Sequence, residues 1–245
     1  MEFEFVATIA LGAFLGATIS GLAGFAFGVS SLSIWAHFMG PELIAPMVVA
    51  CSLAAQLMTL PMVWRHINWR TVWPFILGGL LGILPGSWLL SLLDRDTFRI
   101  AVGILLVTYV SVLAITRATP ALAVRNRGAN AIVGFGGGVM GGFAGLPGVL
   151  PTLWCSVLKW TKDEQRTTFQ IYNLVMHVLA LATYWGRDMI PVDFGPALLV
   201  ALPAVVVGSL IGFRFYRRVD DAQFRRILIW LIGVSGVALI APHLM

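Results

Sequence analysis

Uncharged apolar runs partition the whole chain, at roughly 5–36, 43–64, 71–93, 100–116, 128–158, 167–185, 194–213 and 227–245. Most are near or above the ~20 residues that a helix needs to cross the ~30 Å hydrocarbon core of a bilayer. Inside a bilayer, backbone N–H and C=O groups have no water to turn to, so a spanning segment must satisfy them internally; a long continuous apolar run does this as a helix. Composition agrees: 59% of the residues are hydrophobic and 11% charged, whereas a soluble domain carries about a quarter of its residues as charges. The expected class is an all-α polytopic membrane protein whose permanent partner is the lipid bilayer. The net charge of +5 is no nucleic-acid footprint, because the basic residues stand in short connectors between apolar runs. The start, Met1 to Phe5, lacks the basic segment of a cleaved signal peptide, so the first run is expected to be kept.

The chain resembles itself. A shift of 121 carries Gly16 onto Gly137, Gly21 onto Gly142, Gly24 onto Gly145, Ser52 onto Asn173, Gln56 onto His177 and Trp64 onto Trp185. A shift of 122 carries Pro74, Gly86 and Ser87 onto Pro196, Gly208 and Ser209. Matches in order with small drift indicate an internal repeat, a plan common among secondary transporters. The boundary is the most hydrophilic connector, so the expected units are a first transmembrane repeat at 1–117, a basic cytoplasmic linker at 118–127 and a second repeat at 128–245.

Charge placement selects a topology. If every run spans once, Lys and Arg divide ten to six between the two sides. If the first run of each half is instead a hairpin that leaves on the side it entered, they divide thirteen to three, the asymmetry that the positive-inside rule requires. Each half then has three full crossings, the halves are inverted, the basic loops are cytoplasmic and both termini are outside. Length agrees: a single helix over either run would be about 46–48 Å long, so two half-helices joined by a break fit better. The fold expected is two inverted repeats, each a broken, re-entrant glycine-rich helix hairpin followed by three transmembrane helices.

The glycine-rich stretch 134–151, GFGGGVMGGFAGLPGVLP, contains a G-x-G-x-x-G match at Gly136 to Gly141. That fingerprint needs a preceding strand and a soluble βαβ unit, and apolar membrane sequence lies on both sides here. Two readings remain. Small residues spaced by four, such as Gly138 and Gly142, let helices approach closely. Gly82 with Gly86 and Gly208 with Gly212 read as packing pairs alone, and Gly86 is expected to tolerate a methyl group. Gly145-Leu146-Pro147-Gly148, and Gly21 to Gly28 in the first half, read as broken backbone. The first break lacks the proline and is expected to be the milder one. Two breaks meeting near the midplane would bring helix N-termini and free N–H groups together, which favours an anion. The glycines expected at the site are Gly21, Gly24 and Gly28 with Gly142, Gly145 and Gly148.

Polar residues recur at mid-run. Ser52, Gln56 and Thr59 share one stripe of the second run, and Gln170, Asn173 and His177 share one stripe of its repeat partner. Such residues face the bundle interior, as interhelical glue or as the lining of a substrate path. In the second case Ser52, Gln56, Gln170, Asn173 and His177 are the binding side chains: amides donate to anionic oxygens, and His177 adds a charge near neutral pH. No Asp or Glu lies within a run, so no carboxylate proton relay is visible. Cys51 and Cys155 read as buried small apolar residues, and neither metal nor cofactor is expected. Most tryptophans fall at run ends, as an interfacial belt does.

On Gly21-Leu22-Ala23-Gly24 opening the first half, Gly141-Gly142-Phe143-Ala144-Gly145 opening the second, and the two-half plan, the chain resembles the TauE/SafE family of sulfite exporters, also called the toluene sulfonate uptake permease family. The resemblance implies a carrier of sulfite, organosulfonates or other small sulfur-containing anions in a bacterial inner membrane, an exporter working by alternating access, with proton coupling open. An anion channel is the nearer alternative. An intramembrane enzyme is the more distant one, because paired carboxylates, an H-E-x-x-H motif and an activated serine are all missing from the sequence. Nothing in the sequence fixes oligomeric state.

Overall fold

The computed structural model describes residues 3–23, 26–62, 64, 67–115, 126–158, 160, 162–216 and the isolated positions 230, 233 and 237. The described residues form helices and no strands: α1 Phe3–Ala23, α2 Phe27–Phe38, α3 Pro41–Thr59, α4 Trp69–Leu92, α5 Arg95–Ile115, α6 Arg127–Ala144, α7 Val149–Val157, α8 Lys162–Gly186 and α9 Phe194–Tyr216, with a 3-10 turn at Leu60–Met62. By length and composition α1, α3, α4 and α9 can each cross a membrane. Gly24, Arg65, Lys159, most of the basic linker, the basic residues from 217 to 226 and most of the eighth run lie outside the described residues.

Both long runs are broken, and each folds back on itself. Trp35 in α2 donates its indole N–H to the carbonyl of Thr8 in α1 at 3.3 Å, so α2 returns beside the first half of α1. In the second half the Trp154 indole N–H donates to Asn130 Oδ1 at 2.9 Å, latching α7 to the start of α6. Close approach makes both hairpins narrow: a Cβ on Gly16 would lie 3.1 Å from the Phe27 carbonyl, and one on Gly137 would lie 2.6 Å from the Pro147 carbonyl. The far end of α2 is held by Arg99 of α5, which donates to the carbonyls of Ala36 and His37, where a cation also suits the helix dipole. Two tryptophans assigned to the interfacial belt therefore act as latches. Trp35 is fully buried and Trp154 half-buried.

The hairpins are zipped to helices of the other half. A Cβ on Gly78, Gly82 or Gly86 of α4 would run into the carbonyl of Ala131, Phe135 or Val139 of α6, and Gly134, Gly138 and Gly142 of α6 meet Phe75, Gly79 and Ile83 of α4 in return. The rising numbers on both sides make the pair parallel. The same seam recurs with the halves exchanged, as Gly208 and Gly212 of α9 meet the Phe14 and Thr18 carbonyls of α1 and Gly21 of α1 meets Ser209 of α9. Small residues let dispersion contacts and Cα–H···O approaches accumulate where lipid offers no hydrophobic driving force. The expectation that Gly86 would accept a methyl fails here, because its α carbon faces the backbone of Val139 rather than a yielding side chain. The outward faces of α4 and α9 are the apolar ones: Leu81 is 72% exposed and Leu199 73%, the polarity of a protein surrounded by lipid rather than by water.

Candidate functional site

The second break is a built turn. Gly145 closes α6 at φ +69°, in the left-handed region, with its N–H on the Gly141 carbonyl, and the Leu146 N–H reaches back to Met140. This pairing satisfies the last carbonyls of α6 and suits glycine, which has no Cβ to clash. Pro147 follows, α7 starts at Val149, and the Gly148 carbonyl takes the Thr152 N–H and hydroxyl. In the first half, α2 starts at Phe27, and its N-cap residue Ala26 offers no side-chain acceptor to the first-turn N–H groups. Residues 24 and 25 lie outside the described residues, and with them the comparison of the two breaks.

The two breaks meet. A Cβ on Gly28 would lie 2.6 Å from Leu146 Cδ2 and 3.2 Å from the Gly145 carbonyl oxygen, and one on Gly145 would lie 2.7 Å from Val48 Cγ1 of α3. The N-termini of α2 and α7 therefore converge on one place, each carrying the positive end of its helix dipole.

The two polar stripes face each other beside this junction. Gln56 Nε2 lies 3.1 Å from His177 Nδ1, and His177 Nε2 lies 3.3 Å from the Gly145 carbonyl oxygen. Gln170 Nε2 donates to the Gln56 carbonyl at 3.1 Å and to the Thr59 hydroxyl at 2.8 Å. Asn173 sits against Gly148, whose added Cβ would lie 2.7 Å from Asn173 Nδ2. Ser52, Gln56, Gln170, Asn173 and His177 are all buried. Gly28, Gly145 and Gly148 share this centre. Gly21 and Gly142 stand apart from it, Gly21 in the seam against α9 and Gly142 in the seam against α4, where the Gly142 carbonyl also accepts the Tyr184 hydroxyl at 2.6 Å. Gly24 lies outside the described residues.

Two features were not foreseen. The amide N–H groups of Gln56 and Gln170 are engaged within the protein, and within the two polar stripes the buried side-chain atoms left over are acceptors: Gln56 Oε1, Gln170 Oε1 and Asn173 Oδ1. Arg166, counted from the sequence among the loop cations, is buried in the second turn of α8, its Nη2 3.5 Å from the Gly21 carbonyl. Its position four residues before Gln170, on the same helix face, was the available signal. Cys51 and Cys155 are both free and buried, and no cluster of His, Cys, Asp and Glu suited to a metal occurs among the described residues.

Comparison with known proteins gives the chain a family. The sequence model of the family described as "Sulfite exporter TauE/SafE" matches residues 9–239. A curated relative from Comamonas testosteroni, "Probable inner membrane transporter protein TsaS", is 25% identical over 184 residues, which is 72% of this chain and 74% of that protein. No solved structure matches the chain.

Proposed function

The chain belongs to the sulfite exporter TauE/SafE family, and we propose that it carries sulfite or a small organosulfonate across a bacterial inner membrane as an alternating-access exporter. The observation that carries the reading is the convergence of the α2 and α7 N-termini on the junction of Gly28 with Gly145, beside the polar stripes of α3 and α8. Anions settle where helix dipoles and first-turn N–H groups point inward, and broken helices supply such ends at membrane depth in transporters. The relative's name, an inner membrane transporter, agrees in class and compartment.

In this reading Gly28, Gly145 and Gly148 keep backbone close to the anion, and Ser52, Gln56, Gln170, Asn173 and His177 line its path. Gly21 and Gly142 support the hairpins. Arg166 stands on the cytoplasmic approach to the first break, where a buried guanidinium recruits a negative charge. The two halves are inverted around the contact of Gln56 with its repeat mate His177: two positions exchanged by a two-fold axis touch each other only near that axis. The loops around Arg70 and Arg127 face the cytoplasm, and both termini face outward.

Sealed proteoliposomes test this. Internal sulfite, methanesulfonate, taurine, sulfate and thiosulfate would each be offered against labelled sulfite, with and without a pH gradient. Saturable flux with counterflow exchange of sulfite or a sulfonate is expected. Flux that neither saturates nor exchanges would make the protein a channel, and no flux of any sulfur anion would sink the reading.

A further inference from the structure

We propose that Gln56 couples a proton on His177 to anion affinity by turning its carboxamide, an inference that rests on the transport reading above. Two backbone carbonyls orient the network. The Gly145 carbonyl can only accept, so the facing His177 Nε2 carries a hydrogen. A neutral imidazole then presents a lone pair at Nδ1, and the Gln56 atom 3.1 Å away must be the donating Nε2. This leaves Gln56 Oε1 as the atom without a partner, and it is buried.

Gln170 differs in kind. Its Nε2 faces the Gln56 carbonyl, a fixed acceptor, so its amide has one orientation. The Gln56 amide instead faces a ring nitrogen, which titrates; the ring also lies beside the Asn173 carbonyl one turn back on α8, a second acceptor for an imidazolium N–H. When a proton from water adds to Nδ1, a donor comes to face a donor. The Gln56 Nε2–H···Nδ1 bond breaks, the carboxamide turns by half a revolution, and an Nδ1–H···Oε1 bond forms. The Nε2–H bond to Gly145 is unchanged. The turn places the amide NH2 where Oε1 had been. A buried acceptor thereby becomes a buried pair of donors, and the imidazolium adds a positive charge. Both changes favour an anion, so proton and anion bind together.

Other charges are remote from His177. Of the elements packed on α8, α3 carries Cys51 and Glu42, α4 carries Arg70, α6 carries Arg127 and α7 carries Cys155. On α8 itself stand Glu164, Arg166, Tyr172 and Tyr184, besides Lys162 and Asp163 in its first turn. The two tyrosine hydroxyls donate to the carbonyls of Gly134 and Gly142. Arg166 is eleven positions along the helix from His177, roughly 16 Å at the helical rise, and Glu42, Arg70 and Arg127 stand in the first turns of their helices. His177 is thus the group placed to titrate within the polar junction.

The test uses purified full-length protein and methanesulfonate, which stays charged throughout the pH range and so reports only the protein's protons. Calorimetry in buffers of different ionisation enthalpy counts protons taken up per anion bound. The wild type is expected to take up about one proton above the apparent pKa of His177, with affinity falling about tenfold per pH unit there. Gln56→Met should take up less than half as many. Gln56→Glu, which only accepts and holds the imidazolium permanently, should take up none and bind more weakly, and His177→Gln should bind with a flat pH profile. A Gln56→Met protein with wild-type proton uptake would overturn the proposal. A second readout needs no variant at Gln56: nitrogen NMR of histidine-labelled protein should show His177 Nδ1 unprotonated in the free state and protonated once methanesulfonate binds. An Nδ1 that stays unprotonated overturns the proposal while leaving transport intact. A wild type that binds neither methanesulfonate nor sulfite overturns the function proposed above as well.

Discussion

Gly28 and Gly145 stand against each other across the two halves of the chain, so close that a Cβ on the first would lie 3.2 Å from the carbonyl oxygen of the second. Each belongs to a break in a long apolar run, and neither glycine has room for a side chain. The junction is therefore sensitive to single atoms.

Gly145→Leu is expected to abolish transport. The left-handed conformation at φ +69° penalises a residue with a Cβ by roughly 1–2 kcal/mol, and the new side chain must also displace Val48 and Val49. Gly186→Ala is the control, since its Cβ would meet nothing within 4 Å. Flux per folded molecule and melting temperature would be measured for both. Equal behaviour would mean that the break has no special role.

Gly86→Ala should damage folding before function. The methyl would overlap the Val139 backbone and force α4 away from α6, an overpacking penalty of roughly 1–3 kcal/mol. Yield and melting temperature should fall, while the molecules that do fold transport sulfite with near-normal affinity. Wild-type thermal stability would count against a seam this tight.

Single cysteines in a background lacking Cys51 and Cys155 test the hairpin. Glu4→Cys and Phe38→Cys should react with an impermeant reagent from the same, outer side, because α2 returns beside α1. Gly186→Cys should also react from outside and Gly128→Cys from the cytoplasm. Labelling of positions 4 and 38 from opposite sides would make the first run a full crossing.

Asp94 gives a prediction about pH. Its carboxylate accepts the Thr97 N–H at 2.8 Å, and hydrogen bonding to the Thr97 side chain and backbone holds it below the usual carboxylate range. A depressed pKa means that the ionised form is the stabilised one. Its contribution is complete above the ordinary carboxylate range and disappears as pH falls through the folded-state value. Asp94→Ala should melt below the wild type at neutral pH, and the gap should close in acid. A gap independent of pH would assign the effect to something other than this cap.

Much of this was legible in the residues because it follows from local rules. Glycine and proline end helices wherever they stand, so Gly145 to Gly148 announced a break. Spacing of three and four puts Gln170, Asn173 and His177 on one face. What escaped depends on contacts between distant segments. The direction of an amide is decided by its partner: the sequence offered Gln56 and Gln170 as donors to a substrate, and the fold turns those donors onto His177, the Gln56 carbonyl and Thr59. A tryptophan at a run end belongs to the interface only if the run does not fold back, and Trp35 and Trp154 lie where it does. Gly86 looked tolerant because its neighbour Val139 comes from another helix.

The parallel glycine seams also set an order of assembly. The seam of α4 with α6 joins stretches separated by α5 and the linker, whereas Gly21 of α1 waits for Ser209 of α9, made 188 residues later. During synthesis the small-residue groove of the first hairpin therefore waits without its partner until α9 has left the ribosome. Closure of that groove is the late, long-range step, and a chain halted before α9 keeps its second hairpin on α4 but leaves the first without the helix it leans on.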